Sequence, residues 1–155
     1  MKKIISGLLI LAVLLITALP CSAEAGAPQI TLQIKDFNTR EVLSFSYEFS
    51  RPIDIEGELA GIPRAKTFVI RVAGLKDGNN DLLSWALAGV LEPKDVSVNF
   101  EDSLTGQTMK AIKLTDAYCS RYTEYWNIDG TYYEEIEIVS RRFENGPANY
   151  ENPWN

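Results

Sequence analysis

The sequence predicts a mainly β domain, an antiparallel β-barrel or tight sandwich with one short flanking α-helix. Three observations predict it. Apolar and polar residues alternate with a period of two through most of residues 28–155. One stretch, around Trp85, leaves that period for helical spacing. Glycine-bearing turns separate the alternating runs, and no repeat, low-complexity tract or linker interrupts them.

The first run, Gln29–Asp36, puts Ile30, Leu32 and Ile34 on one face. In Glu41–Ser50, Leu43, Phe45, Tyr47 and Phe49 share a face against Ser44, Ser46 and Glu48. Such patterns bury one side of an antiparallel strand and solvate the other. Arg51–Lys66 follows, with Pro52, Gly57, Gly61 and Pro63 and few positions suited to burial. It reads as a long excursion, and long loops inside compact domains are usually functional. Lys66–Gly74 places Phe68, Ile70 and Val72 together. Asn79-Asn80-Asp81 then offers a helix cap, Leu82–Ala88 has helical spacing, and Gly89 is the expected stop. Trp85 on this helix reads as a core residue. Asp95–Asp102 aligns Val96, Val98 and Phe100, Gly106 marks a hairpin, and Ile112 and Leu114 resume the alternation. The last two runs, Ala117–Trp126 and Tyr132–Phe143, flank the hairpin loop Asn127–Thr131. Seven or so strands and one helix result.

Residues 1–25 have the order of a secretory signal peptide: Lys2 and Lys3, an apolar run from Leu8 to Leu19, then small residues. Ile4–Leu19 is 16 residues long and contains Ser6, Gly7 and Thr17. A bilayer span needs roughly 20 apolar residues, so no transmembrane helix is expected in the mature form. Cleavage fits after Ala23 or Ala25. Lipoprotein processing at Cys21 is the alternative, with Pro20 a poor fit before an acylated cysteine. The chain is therefore expected outside the cytoplasm (periplasmic, cell-surface or secreted), and lipid-anchored if Cys21 is acylated. Cleavage at either alanine leaves Cys119 as the one remaining thiol. It reads as a small apolar residue packed in a strand.

Composition narrows the chemistry. The chain has 155 residues, and removal of 23 leaves 132, enough for one closed core. Fifteen Lys and Arg oppose 21 Asp and Glu, a net charge of −6. That disfavours a nucleic-acid partner, which needs a basic face. Histidine is absent, which removes Ser-His-Asp and Cys-His catalysis and His-ligated metals. No glycine-rich phosphate loop is present. Glu134, Glu135 and Glu137 form an acidic run, as do Glu101 and Asp102. A glycosidase would need two such groups across one cleft; instead Glu135 and Glu137 share a strand face with Arg141 and read as a solvated, charge-paired surface. Asp77–Asp81 only faintly echoes a calcium loop and reads as a turn feeding the helix cap. The aromatics near the C-terminus, Tyr118 to Tyr133, read as cross-strand pairs before sugar platforms. No catalytic residue, metal or cofactor is expected.

Several segments in order resemble one family, the inner-tube proteins of type VI secretion systems, in particular the Hcp-like TssD group of Bacteroidetes. Tyr47-Glu-Phe-Ser50 through Asp54, Gly57, Gly61 and Arg64 is similar to that family's strand and following loop. Asp81-Leu-Leu-Ser-Trp85 resembles its Trp-bearing helix, and Leu114-Thr-Asp-Ala-Tyr-Cys119 its K-x-D-A-Y-C strand. Ile138-Val-Ser-Arg-Arg142 falls where the family has I-S-A-R, with Val139 in place of the usual Ala. Tyr150-Glu-Asn-Pro-Trp154 resembles its terminal H-E-N-x-W. The likeness spans roughly residues 29–155 and implies a non-enzymatic tube subunit, a homo-oligomer forming hexameric rings that stack around a lumen. Its implied partners are secretion-system and effector proteins, and Asp54, Gly57, Gly61 and Arg64 become ring-stacking residues. The leader departs from the family, whose tube proteins are made without one. The alternative is an exported monomeric binding or adhesion module that reuses the same barrel.

Overall fold

The computed structural model describes residues 27–75, 78–88 and 92–153. The leader with Cys21, the expected helix stop at Gly89, Asp77 and Trp154 lie outside the described residues. Seven strands and one helix follow in the order β1 (Pro28–Ile34), β2 (Arg40–Ser50), β3 (Arg64–Ala73), α1 (Asp81–Ala88), β4 (Lys94–Asp102), β5 (Thr108–Trp126), β6 (Tyr132–Asn145) and β7 (Ala148–Glu151). Neighbours run β3-β2-β1-β4-β5-β6-β7, all antiparallel, and β3 also pairs with β6. That extra pairing closes a six-stranded barrel and leaves β7 outside the ring. The barrel and single short helix agree with the sequence expectation.

The core is the inner face of the alternation: Leu32, Ile34, Phe68, Ile70, Val72, Val96, Val98, Ile112 and Leu114 are all buried. Two departures from a strict period of two reposition other side chains. Leu43 is expected inside but is 51% exposed. Val42 pairs with Val72 and Ser44 with Arg71, so Leu43 is an extra residue in a bulge and Val42 takes the inward position. Phe45, Tyr47 and Phe49 resume the inner face beyond it. In β5, Thr115 and Asp116 together oppose Asp95, and Asp116 adopts φ 50°. The phase slips there, and Ala117 and Cys119 become buried after Leu114. The expected separate runs at Ile112–Leu114 and Ala117–Trp126 are thus one continuous strand, while the seventh strand is β7 at residues 148–151.

The barrel has two unlike ends. At one, α1 packs Leu82 and Trp85 into the opening; Trp85 meets Phe37 edge-on at 6.3 Å and its Nε1 donates to the Glu92 carbonyl at 3.0 Å. The Asn79 Oδ1 accepts from the Asp81 N–H at 2.8 Å, and the first helical bond runs from Ser84 N–H to Asn80 O, so the expected cap forms. At the other end aromatic rings fill the barrel: Phe143 stacks on Phe68 at 5.6 Å and meets Tyr47 and Phe49 at 5.3 and 5.0 Å. Strand β7 brings Tyr150 onto Phe49 at 5.2 Å.

Candidate assembly surface

Asp54, Gly57 and Gly61 lie in the excursion between β2 and β3, which occupies residues 51–63. Arg64 does not: it opens β3, opposite Ser50, because the strand ladder begins three residues earlier than the loop composition suggests. The excursion is a miniature hairpin. Ile53 and Leu59 form an isolated bridge, with Asp54 N–H donating to Glu58 O at 2.9 Å and Ala60 N–H to Pro52 O at 2.9 Å. The Asp54 carboxylate accepts from the N–H groups of Glu56 and Glu58 at 3.1 and 2.8 Å. Gly57 follows the turn at φ 86° and Gly61 leaves the hairpin at φ 71°, a backbone region costly for other residues. These residues therefore shape the loop, and all four expected positions are exposed.

Its apolar side chains are what the sequence reading passed over. Ile53, Ile55, Leu59 and Ile62 are exposed, Ile55 to 97%. Leu104 and Met109, on the β4–β5 hairpin at the same end, are exposed too. At the helix end the exposed large apolar side chains are Leu87, Trp126 and Ile128. Only Leu43 lies on the flank among the large exposed apolar residues described. Sequence offered a signal for the loop: isoleucines and leucines recur in a segment too rich in Pro and Gly to join the sheet.

The hairpin at residues 127–131 is well ordered by its own bonds. Asn127 N–H donates to Thr131 O at 2.9 Å, and the Asp129 carboxylate accepts from Thr131 N–H at 2.8 Å. The Thr131 hydroxyl first, and then that N–H, hold the Asp129 pKa below the ordinary value. Trp126 stacks on Tyr132 with centroids 3.9 Å apart. Tyr132 in turn covers Gly74, where any Cβ would overlap the ring. On the opposite face Tyr125 stacks on Tyr133 at 4.5 Å beneath the Arg71 guanidinium, which binds Glu135 at 2.7 Å. Glu137 pairs with Arg121 at 3.1 Å and Arg141 with Glu151 at 3.6 Å. The acidic surface is charge-paired as expected, through different partners.

Glu134 is the exception in that acidic run. It is 1% exposed and forms an ion pair with Arg40, whose Nη2 also donates to Ala73 O at 3.0 Å. The Tyr122 hydroxyl sits 2.8 Å from Glu134 and 2.6 Å from Glu124, and its single proton serves the two carboxylates. Burial and these carboxylates push the Tyr122 pKa far up. The network ties β2, β3, β5 and β6 together near the helix end. Sequence could not expose it, since Arg40 and Glu134 are 94 residues apart.

Cys119 packs in the barrel wall, its Sγ donating to Arg121 O at 3.2 Å. Burial, aided by the Glu137 charge, pushes its pKa up to about 11 from 9.0. The folded state therefore holds a proton that the unfolded chain releases, and stability falls as pH rises between these values. Two units correspond to roughly 2–3 kcal/mol. Cys119→Ala should flatten the decline of unfolding free energy between about pH 9 and 11; equal slopes in urea titrations of both proteins would refute this. Among the described residues no group of carboxylates or thiols has metal-binding geometry.

The chain is thus a closed β-barrel with apolar side chains exposed at both ends and charge pairs along its wall. The family model described as "Hemolysin coregulated protein Hcp (TssD)" matches residues 27–155, and the chain belongs to that family. Hcp1 from Flavobacterium johnsoniae superposes with a TM-score of 0.72 at 25% identity, covering 80% of this chain and 99% of that one. An Hcp1 double mutant from E. coli EAEC 042 gives 0.65 at 15% identity, covering 83% and 100%. Hcp1 from Salmonella typhimurium gives 0.62 at 14%, covering 81% and 95%. A search of curated proteins finds no match. The chain is a structural subunit of the type VI secretion inner-tube kind and not an enzyme; its family forms homo-oligomeric rings. Hcp proteins are exported, and no helix among the described residues is long and apolar enough to cross a membrane.

Proposed function

We propose that the chain is exported through its leader, cleaved after Ala23 or Ala25, and assembles into hexameric rings that stack through the loop at residues 51–63. The observation carrying this is the loop itself. It projects Ile53, Ile55, Leu59 and Ile62 into solvent from a hairpin stiffened by Asp54, at a free-energy cost that only a covering surface offsets. Gly57 and Gly61 set its shape, and Arg64 stands at its base. The stacked rings enclose a lumen for effector proteins, and other secretion-system proteins meet the tube ends. Cys21 acylation would instead tether the ring to a membrane.

Light scattering on the mature protein tests the ring: a hexamer supports it, and a monomer at tens of micromolar overturns it. Arg64→Glu should reduce stacking, measured by sedimentation and negative-stain microscopy, with thermal unfolding unchanged. Stacking equal to that of the parent would remove Arg64 from the contact. The order of residues 1–25 favours a second reading, an exported monomeric binding or adhesion module, because a tube loaded in the cytoplasm needs no leader. The monomer outcome would select it.

A further inference from the structure

We propose that Trp126 and Glu124, on the inner face of the β5–β6 hairpin, bind the guanidinium of an arginine carried by a partner protein. This goes beyond the reading of the chain as a ring subunit and does not depend on it. The hairpin supplies its own precedent. Its strands pair Tyr125 with Tyr133 and Trp126 with Tyr132, so two stacked aromatic pairs lie on opposite faces of one ribbon. On the outer face the pair carries a cation. The Arg71 guanidinium lies 4.5 Å from the Tyr133 ring centre and 5.7 Å from that of Tyr125, and Glu135 binds it at 2.7 Å. On the inner face Trp126 and Tyr132 repeat the platform, and Glu124 repeats the carboxylate, 3.4 Å from the Trp126 Nε1. Here the cation is missing. Among the described residues no lysine or arginine pairs with Glu124, and Arg40 is taken up by Glu134.

The chemistry of the empty face selects arginine. Indole is the best aromatic platform for a cation, and Trp126 is 67% exposed with only one of its faces on Tyr132. Glu124 accepts from the Tyr122 hydroxyl through Oε1 at 2.6 Å and from the Trp126 Nε1 through Oε2. Each oxygen keeps a second acceptor position, and a guanidinium offers two parallel N–H groups to fill both. A lysine ammonium cannot lie flat on the indole and fork to the carboxylate together. Both groups are held before the ligand arrives, the carboxylate by two donors and the indole by Tyr132, itself seated on Gly74. Little side-chain freedom is therefore lost on binding. The net charge of −6 draws a basic partner toward the surface.

The test is fluorine NMR on the mature protein labelled with fluorotryptophan, with acetyl-Gly-Arg-Gly-amide as the probe and Trp126→Phe to assign the signal. The peptide should shift the Trp126 resonance saturably and leave that of Trp85 unmoved. Half-saturation should need about threefold more of the lysine peptide, and about fivefold more arginine peptide in Glu124→Gln, whose melting temperature stays that of the parent. The citrulline peptide, of the same shape without the charge, should give no saturable shift. An equal response to citrulline, undiminished binding by Glu124→Gln, or no response to the arginine peptide up to about 50 mM would overturn the proposal. A response to chitotriose and none to the peptide would make the platform a sugar site. A shift on concentrating the protein alone, with none from the peptide, would give it to a second copy. Either result overturns the assignment to arginine.

Discussion

Replacing Glu134 by alanine is expected to destabilise the protein by about 3–5 kcal/mol, because it leaves the Arg40 guanidinium buried without its counter-charge. Arg40 is 5% exposed and Glu134 1%, so water cannot take over the lost interaction without opening the barrel. The Arg40 Nε already has no hydrogen-bond partner among the described groups, and the deletion adds to that deficit. The Tyr122 hydroxyl would also lose one acceptor, keeping only Glu124 at the surface. Urea denaturation reads the effect directly. A loss below about 1 kcal/mol would mean that water reaches the pair and that it is not a structural tie. The double variant Arg40→Met with Glu134→Leu is expected to recover most of the loss, since apolar replacement of a buried pair costs little.

Trp85→Ala is expected to cost about 3–5 kcal/mol by emptying the helix end of the barrel. The helix has eight residues, too few to persist alone in water. Leu82 and Trp85 are its only fully buried side chains among those described, and Trp85 adds the bond to Glu92 O and the edge contact with Phe37. Without the indole, the helix has little reason to stay on the barrel, and the core beneath it is exposed. The expected result is a lower melting temperature with increased binding of a hydrophobic dye. Leu87→Ala, on the exposed face of the same helix, is the control and should change stability by less than about 0.5 kcal/mol. Similar melting temperatures for the parent and the Trp85 variant would show that the helix does not seal the barrel.

These two effects mark what the sequence made legible. Trp85 in a capped, apolar, eight-residue window was readable because the helical period and the Asn79–Asp81 cap are local signals. The strand faces of β1, β3 and β4 were readable for the same reason: their alternation is unbroken. The face of β2 failed at Leu43, where a bulge inserts one residue and no Gly or Pro announces it. The role of Glu134 was hidden among two neighbouring glutamates, since only the closure of β3 on β6 brings it to Arg40. At the candidate assembly surface, the glycines and Asp54 were visible as turn chemistry. The exposed isoleucines were not, because exposure depends on the loop standing clear of the barrel.

The dissimilarity of the barrel's two mouths has a consequence for any polymer built from it. If every subunit points the same way, the finished rod has chemically distinct termini, one carrying short isoleucine-tipped fingers and the other a single indole from each subunit. A capping protein shaped for one terminus will ignore the other, so initiation and arrest of growth can be assigned to separate factors without any change in the subunit.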